Sequence, residues 1–194
     1  MTAPWLLASA EVPSPKANHD ITREEFVAQH NAALRSIGFG RWHREQLIGV
    51  AAVESAWGHS KCAAVNNFAG LKAKKDVAVK VKKILGTELQ WFRQAGHVAQ
   101  GDAPEVTYAV FPSPKAFWEI WVKRHVGYGH IPPWASIYFQ ASELFWLCDE
   151  AWCAALLRAG YSEHSGEAGV QRAARSRLDC ARAARGILDS LGAL

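Results

Sequence analysis

No apolar stretch in this chain of 194 residues reaches the roughly 18 to 20 residues that a membrane span needs. Cysteine is sparse. Cys62, Cys148, Cys153 and Cys180 lack the close paired spacing of a zinc site, and 4 in a chain this long do not make a disulfide scaffold. Buried thiols are expected, with one or two bridges open to the chain in an oxidising compartment. The start, MTAPWLLASAEVPSPK, has no basic n-region and only a short apolar patch, which argues against a signal peptide and for synthesis in the cytoplasm. Charge of one sign is modest too: a net +4 with a pI near 8.9 biases the chain toward anionic partners without selecting nucleic acid among them. Internal repeats are absent.

What is present fits one folded unit of ordinary size, with 49% hydrophobic and 21% charged residues. The 9 tryptophans suit either a thick aromatic core or a cleft that stacks on sugar rings. Residues 1–20, with Pro4, Pro13 and Pro15 and no periodic apolar pattern, read as an extended tail or clasp outside the core. Residues 21–194 read as a single domain.

In TREEFVAQHNAALRSIG, Thr22 and Glu25 have the spacing of a capping box, Phe26, Val27, Ala33, Leu34 and Ile37 form a stripe, and Gly38 stops the helix. RWHREQLIGVAAVESAWG is a second helix, apolar on most faces and so central, ending near Gly58. VAVKVKKIL alternates apolar residues and lysine with period two, and PEVTYAVF is β-rich, so residues 77–111 predict a small hairpin or sheet with a long irregular tip. Ser113 and Pro114 open another helix, with Phe117, Ile120, Trp121 and Val122 as its stripe. SELFWLCDEAWCAALLRAG follows. A terminal helix is apolar at Val170, Ala174, Leu178, Ala181 and Leu188, with Arg172, Arg175, Arg177, Arg182 and Arg185 on its charged outer side. The fold class is α+β and mostly α, with a small β-hairpin region.

One carboxylate stands out. Glu54 lies among Val50, Ala51, Val53 and Trp57, where lost hydration favours the protonated form that a general acid needs to protonate a departing sugar oxygen. A helix glutamate facing solvent or capping a neighbouring element has the same pattern. His59 and Cys62 have too little company for a metal site, and nothing near Cys62 activates a thiol for a pairing with His97. Lys72, Lys74, Lys75, Lys80, Lys82 and Lys83 form either a solvated face or a patch that attracts anionic glycan. Trp118, Trp121, Trp146 and Trp152 read as core.

Residues 51–73, AAVESAWGHSKCAAVNNFAGLKA, resemble the signature of the family 73 glycoside hydrolases, bacterial N-acetylglucosaminidases of peptidoglycan with a lysozyme-like helical domain. Glu54, Ser55, Trp57, Gly58, Ser60, Asn66, Asn67, Phe68, Gly70, Lys72 and Ala73 fit it, and Ala69 is inserted. GTELQWF, YAVFPS and LLRAGYSEH resemble later segments in the family's order, so the likeness spans about residues 22–165. Departures are Ala109 and Phe111, where the family has Arg and Tyr, and Ser162 and Glu163 after Tyr161.

The resemblance implies cleavage of the β-1,4 bond between N-acetylglucosamine and N-acetylmuramic acid. It implies Glu54 as acid and Glu88 as second carboxylate, with Asp102 and Glu105 as fallbacks. A substrate N-acetyl group acting as nucleophile would make the second carboxylate unnecessary. Trp57, Asn66, Asn67, Phe68, Tyr108 and Tyr161 are the implied substrate contacts. No metal and no cofactor are expected. The implied partners are peptidoglycan strands and, for a type VI secretion effector of this kind, a cognate immunity protein that occludes the cleft; a phage endolysin is the other route to the wall. No nucleic acid, no membrane span and a monomer complete the expectation. The rival is a non-catalytic glycan-binding or scaffold protein that keeps the fold.

Overall fold

The computed structural model describes residues 10–95, 104–126 and 166–192. In chain order these form β1 (Ala10–Glu11), α1 (Arg23–Ser36), α2 (Arg41–Ser55), a 3-10 turn (Ala63–Val65), α3 (Lys75–Leu85), β2 (Gln90–Ala95), β3 (Glu105–Val110), α4 (Pro114–Val126) and α5 (Gly166–Ser190). The protein is α+β and mostly α, with one three-stranded sheet of order β1-β2-β3. Among the described residues no helix is long and apolar enough to cross a membrane.

Local signals set several of these elements. Thr22 and Glu25 form the capping box, with the Glu25 amide donating to Thr22 Oγ1 at 3.1 Å and the Thr22 amide to Glu25 Oε2 at 2.9 Å. Those bonds hold the Glu25 carboxyl below its usual range. The Ser113 hydroxyl accepts from the Ala116 amide at 3.2 Å and opens α4. β2 and β3 pair antiparallel from Gln90↔Val110 to Ala95↔Glu105. β1 lies parallel to β2, with the Val12 amide donating to the Trp91 carbonyl at 2.8 Å, so the tail beyond residue 10 clasps the sheet edge.

The two-residue alternation in VAVKVKKIL is misleading: this segment is α3, not a strand. Val77 and Val81 are buried one helical turn apart, Ala78, Ile84 and Leu85 pack beside them, and Val79 is left 57% exposed. The apolar set thus recurs at helical spacing. Gly86, at φ +70, ends the helix with its amide on the Lys82 carbonyl.

The core gathers around α2. Leu47, Ile48, Ala51 and Ala52 are almost fully buried, and so are Phe26 and Leu34 of α1, Phe117, Trp118, Ile120 and Trp121 of α4, and Ala174, Leu178, Ala181 and Leu188 of α5. Expectations for Trp118 and Trp121 therefore hold; Trp146, Trp152, Cys148, Cys153 and His97 lie outside the described residues. α5 crosses α2 closely enough that a Cβ at Gly49 would stand 2.9 Å from Ala181 Cβ and from its backbone nitrogen.

That crossing is antiparallel and stapled on both sides. Glu45 Oε2 accepts from Arg185 Nε at 2.9 Å, Gly49 meets Ala181, and Glu54 Oε1 accepts from Arg177 Nη2 at 2.8 Å. Ascending α2 matches descending α5 through all three.

Candidate functional site

Glu54 occupies the last turn of the central helix, and the chain beyond it is tightly constrained. Ala56, Trp57 and Gly58 follow one another at φ 51, 58 and 89, all left-handed. For the two non-glycine residues that conformation costs about 1–3 kcal/mol each, a strain that collects at functional sites. The Trp57 amide reaches back to the Ala52 carbonyl at 2.8 Å in a Schellman-type ending. Ser55 is buried; its hydroxyl donates to the Ala51 carbonyl at 2.6 Å and accepts from the Gly58 amide at 3.0 Å. A Cβ at Gly58 would stand 2.9 Å from Phe26 Cδ2, so position 58 needs glycine for both its angle and its space. The string ESAWG is thus a rigid mount for one carboxylate.

The setting of that carboxylate differs from the apolar wall expected for it. Its side chain is 30% exposed, and its partner Arg177 is 4% exposed. Arg177 was expected on the solvated side of the terminal helix; it turns inward because it falls between Ala174 and Ala181 on the buried stripe. This is the residue that reading the sequence missed, and its signal was spacing: three residues after Ala174 and four before Ala181. A charge-assisted bond from a desolvated guanidinium is among the stronger hydrogen bonds a protein makes.

Glu88 sits elsewhere, exposed on the turn between α3 and β2, with its carboxylate 2.5 Å from Lys82 Nζ. Glu54 and Glu88 engage cations on different helices. Glu105, one fallback, is exposed and pairs with Arg93 at 3.3 Å, while Asp102, the other, lies outside the described residues.

The NNFAGLKA loop proves to be wired inward. Asn67 is fully buried; its Nδ2 donates to the carbonyls of Leu71 at 2.9 Å and Ala109 at 2.8 Å, and its Oδ1 accepts from the Leu71 amide at 2.8 Å. Phe68 is 2% exposed and packs on Phe26, His30 and Phe117. Neither side chain, expected on the substrate, faces a surface: a loop that enters the core must satisfy its own backbone first. Asn66, at φ 57, donates from Nδ2 to the Phe111 carbonyl at 3.0 Å and stays partly open. Tyr108 is half-buried on β3, stacked on Phe92 at 5.7 Å and lying over Gly70. Tyr161 lies outside the described residues.

Trp57 is half-buried. Its ring lies 4.8 Å beneath the Arg23 guanidinium and meets Phe26 edge-on at 5.8 Å. Behind this layer His30 is fully buried, accepts from Trp118 Nε1 at 2.9 Å, and is pushed down to about 3 by burial. Burial pushes the Cys62 thiol up to about 11, which keeps it protonated at neutral pH and unsuited to nucleophilic attack. The His59 ring is within 3.1 Å of the Ile21 carbonyl.

No protein-family model matches the chain, and no curated protein matches it. A chain from the solved structure of a type VI secretion system effector–immunity complex from Pseudomonas protegens is 20% identical, with a TM-score of 0.49, covering 88% of this chain and 96% of that one. A likeness at that score leaves the chemistry of this chain to be argued from its own residues.

Proposed function

We propose that the chain is a peptidoglycan hydrolase that cleaves the β-1,4 bond between N-acetylglucosamine and N-acetylmuramic acid, with Glu54 as the acid. The observation that carries this reading is the mount of Glu54: a solvent-reaching carboxylate at the end of the buried central helix, followed at once by the strained Ala56 and Trp57. The resemblance of residues 51–73 to family 73 hydrolases supports it. Glu88 is engaged with Lys82 on an outer turn, so the substrate's own N-acetyl group takes the nucleophile's part in this reading. Protonation of the leaving oxygen requires Glu54 to exchange its Arg177 contact for the glycan. The biological role is that of an antibacterial effector acting on the wall of another cell, held in check at home by an immunity protein.

Glu54→Gln keeps the acceptor for Arg177 and removes the transferable proton. Turnover of purified sacculi should fall by about 10²- to 10⁴-fold, the usual weight of a general acid. Wall clearing by that variant at the native rate would refute the role. Mass spectrometry of the products should find new reducing-end N-acetylglucosamine; reducing-end muramic acid would mean lysozyme-type cleavage instead.

The ion pair itself favours a second reading, a glycan-binding protein without turnover, because a carboxylate held by a buried guanidinium is a structural group in many folds. Sacculi bound but never released by the wild-type chain would establish that alternative.

A further inference from the structure

An open groove of about 460 Å³ runs where α5 passes the start of α1, within the range of about 300–1,000 Å³ typical of small-ligand sites. Arg172, Arg175, Ser176 and Asp179 line it from one flank of α5, Arg23 from the first turn of α1, and Trp57 from the turn after Glu54. The α5 members recur at three- and four-residue spacing and so share a face. Arg177, one position further round, is the residue that turns inward to Glu54.

Among the described residues the lining of this groove includes three arginines, Arg23, Arg172 and Arg175, and one aspartate, Asp179. Asp179 already has Arg182 Nη1 at 3.8 Å. Trp57 takes the face of the Arg23 guanidinium in a cation–π contact, and guanidinium donates hydrogen bonds from its edge, so the contact orients Arg23 without using its donors. Clustered arginines with in-plane donors match the geometry of carboxylates, which they bind bidentately.

We infer that this groove, walled in part by the turn that follows Glu54, is a carboxylate-binding subsite. Its ligand is the acidic substituent of the muramic-acid sugar: either the lactyl carboxylate or the carboxylates of the stem peptide attached to it. The identity of that ligand rests on the peptidoglycan reading above; the anion selectivity of the groove does not. Trp57, which lines the groove, stands three residues after Glu54 in the turn that ends α2. A glycan strand held there would be read by the charge it carries as well as by its sugar rings.

The test is binding of soluble probes to the full chain by calorimetry or NMR titration. N-acetylmuramic acid offers the lactyl carboxylate. Muramyl dipeptide has that group consumed in an amide and offers only peptide carboxylate, and N-acetylglucosamine offers neither. Acidic probes should bind at least about tenfold more tightly than the neutral sugar, a preference that shrinks with added salt. The double substitution Arg172→Ala and Arg175→Ala should abolish the preference, the corresponding lysine pair should keep part of it, and Lys115→Ala on α4 should leave it intact. Both arginines of the pair are exposed, and circular dichroism will establish that the alanine variant is folded; Arg175→Glu is measured beside it. A preference for N-acetylmuramic acid assigns the lactyl source, and one for the dipeptide assigns the stem. Equal binding of acidic and neutral probes, or a folded alanine variant that retains the preference, overturns the inference. Acid-selective binding by a chain that cuts no glycan would sink the hydrolase reading and leave the subsite standing. Hydrolysis with charge-blind binding would do the reverse.

Discussion

Two of the ion pairs that join α2 to α5, Glu45–Arg185 and Glu54–Arg177, invert each other. At one end Glu45 is 5% exposed and its partner Arg185 is 48% exposed, with Arg41 as a second partner at 2.9 Å. At the other end the guanidinium of Arg177 is buried at 4% and the carboxylate of Glu54 is the member left 30% open. Similar chemistry thus serves opposite ends. Glu45 is a buried acid neutralised by hydrated cations, which suits a structural anchor. Glu54 is an accessible acid whose cation is sunk in the helix interface, which suits a group that must meet something outside the protein. Under the proposed function the same helix pair carries one carboxylate for the fold and one for the glycan.

The largest effect should separate these two acids directly. Glu54→Gln is expected to remove about two to four orders of magnitude of activity, far more than the roughly 2 kcal/mol of stability that weakening its bond from the buried Arg177 costs. Glu45→Gln should leave turnover near the wild-type rate while costing about 2 kcal/mol in urea unfolding, because a buried acceptor loses charge-assisted bonds. Comparable activity losses in both variants would erase the distinction. Gly49→Val comes next. The added atoms meet Ala181 backbone at the crossing between the two pairs, and such overpacking costs about 1–3 kcal/mol. Activity should fall with it only to the extent that α5 shifts and carries Arg177 away from Glu54; loss of activity with unchanged stability would contradict a packing origin.

His30 tests the Glu54 end against pH. It lies behind Phe68 and is held down to about 3, so the folded state keeps it neutral while the unfolded chain binds a proton below its ordinary value near 6.5. The unfolded state therefore holds more protons in the window from about 6.5 down to about 3, and stability falls as pH falls through it, by up to about 1.4 kcal/mol per pH unit. His30→Gln retains an acceptor for Trp118 Nε1 and should flatten that slope relative to wild type in unfolding experiments between pH 6 and 4. Hydrogen exchange in the same range should open the loop around Asn67 before the N-terminal half of α2. Equal slopes in both proteins would remove His30 as the cause.

Much of this arrangement was legible because it is local. The capping box at Thr22, the Ser113–Pro114 start of α4 and the buried stripe of α5 each depend on residues within a few positions of one another. Segment 77–85 was not, since Val77, Val79 and Val81 satisfy a strand's alternation while Val77, Val81, Ile84 and Leu85 satisfy a helix, and only the sacrifice of Val79 to solvent decides between them. Glu54 was found by its neighbours in sequence, yet its true neighbour is 123 positions away. Asn67 and Phe68 teach the same lesson: the resemblance implied them as ligand contacts, whereas the loop spends both on its own backbone and core.

The smallest effect is also the sharpest measure of the inverted pairs. Double-mutant cycles between Glu54 and Arg177, and between Glu45 and Arg185, isolate each coupling from the general cost of substitution. Arg185 is half in water, where exposed pairs contribute about 0.2–1 kcal/mol and are screened by salt. Arg177 is desolvated, so its coupling to Glu54 should be larger, about 2 kcal/mol, and should survive a rise in ionic strength. Using Gln at each acid and Met at each base preserves volume through the cycle. A larger, salt-resistant coupling at Glu45–Arg185 than at Glu54–Arg177 would place the stronger clamp at the anchor end and remove the burial of Arg177 as what sets the strength of its pair.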